Sequence, residues 1–203
     1  MSRYATALGL LFCLSACGGG GGGGGSGSGI DPRLARLDVY EAQKLRVLGD
    51  PGAGVMGMPV TADANMPTGG AMSFAGYGTI RVETGATPLV LFGDAGVQVD
   101  FDTNTATGAI ENTFGTNARG DVVDYTGVVT LQAAVTTQDM PLTYDGALSA
   151  GDTTLDLSGT MTGVFLGNPT TALTAADLEA GILQNGTLRT ATVVVTFEQT
   201  PPP

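Results

Sequence analysis

The 203-residue chain carries 19 acidic against 8 basic residues, a formal net charge of −11, with 33 glycines and neither tryptophan nor histidine. Such an acidic surface repels phosphate backbones and excludes nucleic acid as a partner. Without histidine neither a Ser-His-Asp nor a Cys-His site can be assembled, and 13% charged residues with plentiful Thr, Val and Gly suit strands rather than a helical bundle.

Residues 1–16 have the parts of an export signal: Arg3, an apolar run centred on Leu8–Leu14, then small residues. That run is too short to span a bilayer. Leu14-Ser15-Ala16-Cys17 resembles a bacterial lipobox. The resemblance implies cleavage before Cys17 and acylation of Cys17, palmitate included. Several acyl chains hold a protein firmly where one anchors only marginally. Cleavage removes Arg3 and no acid, leaving 19 acids against 7 bases, a formal −12. Cys13 lies in the signal and Cys17 is the lipidation residue, so no disulfide and no spare thiol is expected. Residues 17–30 complete the anchor: Gly18–Gly25 and Ser26-Gly27-Ser28-Gly29 form a flexible tether reaching roughly 20 Å.

Residues 31–65 read as a helix and a linker. Asp31 caps, Pro32 suits the first turn, and Leu34, Leu37, Glu41, Lys44, Leu45 and Leu48 form a mostly apolar stripe over 31–48. Gly49-Asp50-Pro51-Gly52 stops it. Gly52-Ala53-Gly54-Val55-Met56-Gly57 matches a dinucleotide fingerprint letter by letter, but a helix precedes it and Met58-Pro59 follows. The fingerprint needs a strand before and a helix after, so the stretch reads as linker and no cofactor is expected.

From Gly69 the period becomes two. Met72, Phe74, Ile80 and Val82 alternate with Ser73, Ala75, Thr79 and Arg81, and Val97, Val99 and Phe101 with Gln98, Asp100 and Asp102. Tyr125, Val129, Leu131, Ala133 and Val135 share a face, as do Leu142, Tyr144 and Leu148. Leu155, Leu157, Met161 and Phe165 form another, and so do Ala191, Val193, Val195 and Phe197. One apolar face and one of Thr and acids is the pattern of strands with one side in a core. A membrane-spanning barrel would need an apolar outer band with aromatic girdles. The expectation is all-β: a small soluble antiparallel barrel of seven to eight strands over 66–199, behind the helix and Gly-rich tether. Thr174-Ala175-Ala176-Asp177, with Leu173 and Leu178 at staple positions and Gly181 closing, predicts one late helix. Residues 200–203 are a tail.

Four stretches carry a family likeness: Met66-Pro67-Thr68-Gly69-Gly70 into Phe74-Ala75-Gly76-Tyr77; Val99-Asp100-Phe101 with Thr107-Gly108; Ser158-Gly159-Thr160; and Gly163-Val164-Phe165-Leu166-Gly167. In that order behind a lipobox, they make the chain similar to the transferrin-binding protein B-like β-barrel lipoproteins of Gram-negative bacteria. The transferrin binders have two lobes, each with a barrel and a handle domain, and this chain has room for one barrel. No receptor-binding residue transfers. The resemblance implies a lipid-anchored outer-membrane protein of binding type, displayed at the cell surface in preference to the periplasmic face.

The chemistry left to the chain is thin. Its carboxylates lack the aromatic-lined cleft a glycosidase wants, so no enzyme activity is expected. Asp100, Asp102 and Asn104, with Glu111 eleven residues after Asp100, have the oxygen-ligand spacing of a calcium loop. Thr105 stands where that loop requires Gly, and the plainer reading is a turn whose Asp and Asn bond local backbone. The expected function is non-enzymatic binding of a macromolecular, protein partner. The expected recognition regions are Gly49–Pro67, Thr113–Asp121 and the helix-bearing loop Asn168–Asn185, since loops on rigid scaffolds carry recognition. The alternatives are a periplasmic envelope-maintenance lipoprotein and a lipocalin-like carrier of a small apolar ligand.

Overall fold

The computed structural model describes residues 31–117 and 119–201. The export signal, Cys17 and the tether lie outside the described residues. The chain divides into two compact units after Gly57.

In the first unit, helix α1 spans Pro32–Val47. Asp31 caps it, its Oδ1 accepting from the Arg33 backbone N–H at 2.9 Å while the Arg33 guanidinium reaches its Oδ2 at 2.6 Å. Those Arg33 hydrogen bonds lower the Asp31 carboxyl to about 2. The buried face is Tyr40, Gln43 and Val47, spaced three and four apart, rather than the expected stripe, and Leu34 is 39% exposed. Two stripes of helical period exist in this sequence, and periodicity alone does not rank them. Gly49–Asp50 (β1) then pairs with Val55–Met56 (β2), so the fingerprint-like glycines bend a small hairpin. Gly49 has φ 72°, and a side chain there would strike the Gly57 backbone.

The second unit is built of eight strands: β3 (Ala71–Val82), β4 (Leu89–Asp100), β5 (Thr105–Thr116), β6 (Val122–Ala134), β7 (Asp139–Ala150), β8 (Thr153–Leu166), β9 (Ala172–Gln184) and β10 (Thr187–Gln199). Each pairs antiparallel with the next, and β10 returns to β3 from Ala191↔Val82 to Gln199↔Phe74, closing the barrel. Closure leaves no sheet edge to pair with another chain. The lumen holds the apolar alternates, among them Ile80, Leu91, Ile110, Leu131, Phe165 and Phe197, each at 1% exposure or less. Thr, Ser and acids alternate outward, the reverse of a membrane-spanning barrel. No helix among the described residues is long and apolar enough to cross a membrane.

The late helix predicted over Thr174–Gly181 is instead part of β9. Its local cap signals are real, but a helix there would leave β8 and β10 without partners. Strand β9 satisfies both, pairing Phe165↔Leu173 on one side and Phe197↔Leu173 on the other. Closing the ladder satisfies backbone donors and acceptors along both flanks, which outweighs the modest helix preference of Ala175 and Ala176.

Bulges shape the wall. On β5 the register with β4 shifts between Asp94↔Glu111 and Phe92↔Phe114. Asn112 takes the extra position at φ 49° and donates from Nδ2 to Asp94 Oδ2 at 2.9 Å. Left-handed backbone disfavours branched side chains by about 1–2 kcal/mol. Asn112→Val is therefore expected to lose about that much stability in urea unfolding, whereas Asn112→Gly stays within about 1 kcal/mol of the parent.

Candidate functional site

The barrel has two ends. One gathers the loops 83–88 and 117–121 with the tight turns 151–152 and 185–186; the other gathers 101–104, 135–138 and 167–171. Of the expected recognition regions, 113–116 belongs to β5, leaving a loop of 117–121 tied by Asn117. Its Oδ1 accepts from the N–H groups of Arg119 and Asp121, at 2.9 and 3.0 Å. The region 168–185 is mostly β9, so its loop shrinks to the turn 167–171. The residues 58–66 do not hang free either. Thr61 is fully buried, donates its N–H to the Phe165 carbonyl at 2.9 Å and its hydroxyl to the Gly167 carbonyl at 2.8 Å. Asn65 donates to Asn168 at 3.1 Å.

Three of the four calcium-spaced residues, Asp100, Asp102 and Asn104, share the turn between β4 and β5. Asp100 Oδ1 accepts from the N–H groups of Asp102 and Thr103, both at 2.9 Å, and Asn104 turns the chain at φ 55°. The Thr103 backbone bond holds the Asp100 carboxyl below its ordinary value. Glu111 sits beside Asp94, six residues beyond Thr105 along β5, roughly 20 Å from the turn at strand rise. The four do not converge. Among the described residues no three His, Cys, Asp or Glu side chains group as metal ligands.

Inside the barrel one polar pair stands out. The Tyr144 hydroxyl donates to Asp177 Oδ2 at 2.9 Å, and the Glu179 N–H donates to Asp177 Oδ1 at 3.2 Å. Burial first, then the Asp177 hydrogen bond and charge, pushes the Tyr144 hydroxyl pKa well up. Gly159 faces Tyr144 across the β7–β8 ladder, and a side chain there would collide with the ring. The bond ties β7 to β9, the two strands that flank β8.

The outer wall offers two features. A shallow trough of about 470 Å³ lies across β5–β8, lined by Thr105, Thr107, Gln132, Pro141 and Thr143 with their neighbours. Its Thr143 hydroxyl is already spent on the Gln132 carbonyl, at 2.8 Å. The second feature is apolar. On the β9–β10 hairpin Leu183 and Leu188 are register partners facing outward, 41% and 69% exposed, with Leu178 at 46% further along β9. Sequence reasoning missed them, because assigning Leu178 to a helix hid the alternation Gly181, Leu183 that continues into the hairpin.

No protein-family model matches the sequence, and no curated protein matches it. Among solved structures, a single-residue variant of the vaccine antigen transferrin-binding protein B from Haemophilus parasuis Hp5 is similar, with a TM-score of 0.51 at 17% identity. That match covers 71% of this chain and 29% of the antigen. A double variant of the same antigen gives 0.49 at 17% identity, covering 70% and 28%. The chain therefore spans under a third of the antigen's length, 29% in the first comparison. At this identity the likeness is one of fold: the closed eight-strand barrel is of the kind found in transferrin-binding protein B, as the quoted stretches implied.

Proposed function

We propose that the chain is a non-enzymatic binding module, anchored in the outer membrane through acylated Cys17 and displayed at the cell surface for a protein partner. The observation that carries the binding reading is the Leu183–Leu188 pair, side by side in register and solvent-exposed on a wall whose outward positions are mostly Thr and acids. Contiguous exposed apolar surface rimmed by polar groups marks interaction sites, whereas single exposed apolar residues do not. Asp156, the β8 register partner of Leu183, adds negative charge beside the leucines, which favours a partner that is apolar and basic. The lipobox resemblance supports the anchor, and the fold likeness supports a binding-type barrel. The lipocalin-like carrier is the weaker reading, since the lumen positions are occupied by large side chains such as Tyr144, Phe165 and Phe197.

Protease treatment of intact cells, blotted for the barrel against a periplasmic control, tests display. Loss of the barrel alone is the expected result; full protection would favour the envelope-maintenance role. Once a partner is isolated, Leu188→Asp should weaken its binding by about 1–3 kcal/mol while leaving the barrel's thermal midpoint unchanged.

A further inference from the structure

The unit following Gly57 has fifteen acids and three basic residues, Arg81, Arg119 and Arg189. All three lie at the end that carries the loops 83–88 and 117–121. Arg81 is neutralised by Glu83 at 2.6 Å, and Arg119 sits in the loop 117–121. Arg189 is different. It stands two residues before Ala191 on the lumen-facing alternation of β10 and pairs in register with Ile182, which is itself fully buried in the lumen. Its Nε is sealed from solvent with no hydrogen-bond partner, and no carboxylate among the described residues forms an ion pair with it. Asp156 faces outward and Asp152 sits in the turn 151–152.

A guanidinium does not escape burial by losing its proton, as a lysine can. Part-burying one without a carboxylate is costly, and in a unit so rich in carboxylates the missing partner is conspicuous. We propose that Arg189 is the anchor of a small-molecule site at this mouth of the barrel, and that the ligand is a short monocarboxylate. The sealed Nε is out of a ligand's reach, but the two Nη groups are not among the sealed atoms, and that end of the guanidinium offers a planar carboxylate two parallel hydrogen bonds. The surrounding excess of acids works against polyanions, so a single negative charge is preferred to phosphate or citrate. Leu148, Leu155 and Ile182, each 1% exposed or less, already occupy the lumen of this half, which limits the ligand to a short acid. This site is independent of the leucine surface on the outside of the same hairpin.

The test is a titration of the isotopically labelled full chain with sodium butyrate, at ionic strength held constant with sodium chloride. It reads the Arg189 Nε–Hε resonance and the amides of Ile182 and Gln184. A saturable shift is expected with butyrate and none with chloride alone. Arg189→Gln should abolish it, and Arg189→Lys, which keeps charge but loses the fork, should weaken it at least fivefold. A butyrate response no different from chloride would overturn the proposal, as would an undiminished amide response in Arg189→Gln. Tighter saturation by inorganic phosphate would overturn the monocarboxylate assignment. Should Arg189→Gln fail to fold, the parent titration and the lysine variant still decide the matter.

Discussion

Phe165→Ala is expected to lower the unfolding free energy by about 3–5 kcal/mol, the cost of emptying a large aromatic site in a packed core. Phe165 is fully buried in the lumen and stacks in tilted contact with Phe74, centroids 6.3 Å apart, and with Phe101 at 5.9 Å. Those three rings fill the end opposite Arg189. The wall around them has little freedom to collapse into the gap. Phe165 donates its N–H to the Gln138 carbonyl and accepts the Thr61 N–H, so its own backbone is pinned on both sides. Closed ladders on either side hold β8 in register as well. The loss should therefore come near the upper part of the range, because a cavity that cannot relax keeps its full penalty. Phe165→Leu retains most of the volume and should cost less, about 1–2 kcal/mol. Equilibrium urea unfolding measures both. An alanine variant within about 1 kcal/mol of the parent would mean the rings do not pack as described.

Most of the barrel was legible because its strands bury one face and wet the other. Leu155, Leu157, Met161 and Phe165 on β8, and Ala191, Val193, Val195 and Phe197 on β10, announce the lumen by alternation alone. What the sequence hid was decided by neighbours in space. Strand β9 carries Ala175-Ala176 and good capping residues, and only the need to join β8 to β10 makes it extended. Once β9 is read as a helix, three features vanish together. These are Asp177 pointing inward, Leu183 and Leu188 pointing outward as a pair, and Arg189 lying beside Ile182. The calcium-like spacing failed for a related reason. Eleven residues curl around an ion in a loop, but a strand rises about 3.3 Å per residue, so β5 carries Glu111 away from Asp100. The stripe of α1 was misassigned because Leu34 and Leu37 are the more apolar residues, while Tyr40, Gln43 and Val47 are the ones buried.

The Tyr144–Asp177 bond should be visible in the alkaline limb of stability. The folded barrel holds the Tyr144 proton more tightly than the unfolded chain does, because its hydroxyl is buried and donates to a carboxylate. A pKa raised on folding contributes stability that is complete below the unfolded value, 10.0 for tyrosine, and is lost as pH climbs through the folded value. Urea midpoints should therefore hold steady approaching pH 10 and fall steeply above it. Tyr125, raised by burial, contributes in the same direction. Tyr144→Phe removes the titrating group and should flatten that fall. It should also lose about 1.5–3 kcal/mol at neutral pH, the usual value of a hydrogen bond to a charged group, because Asp177 is left with one donor fewer. Two further variants separate the bond from the ring. Gly159→Ala drives a methyl into the Tyr144 ring and should break the same bond without deleting the hydroxyl. Tyr144→Phe combined with Asp177→Asn should then cost less than the two changes summed, with a coupling of about 1–2 kcal/mol. Were the alkaline fall in Tyr144→Phe as steep as in the parent, the proton would belong to some other tyrosine, and the pair inside the barrel would carry no share of its pH response.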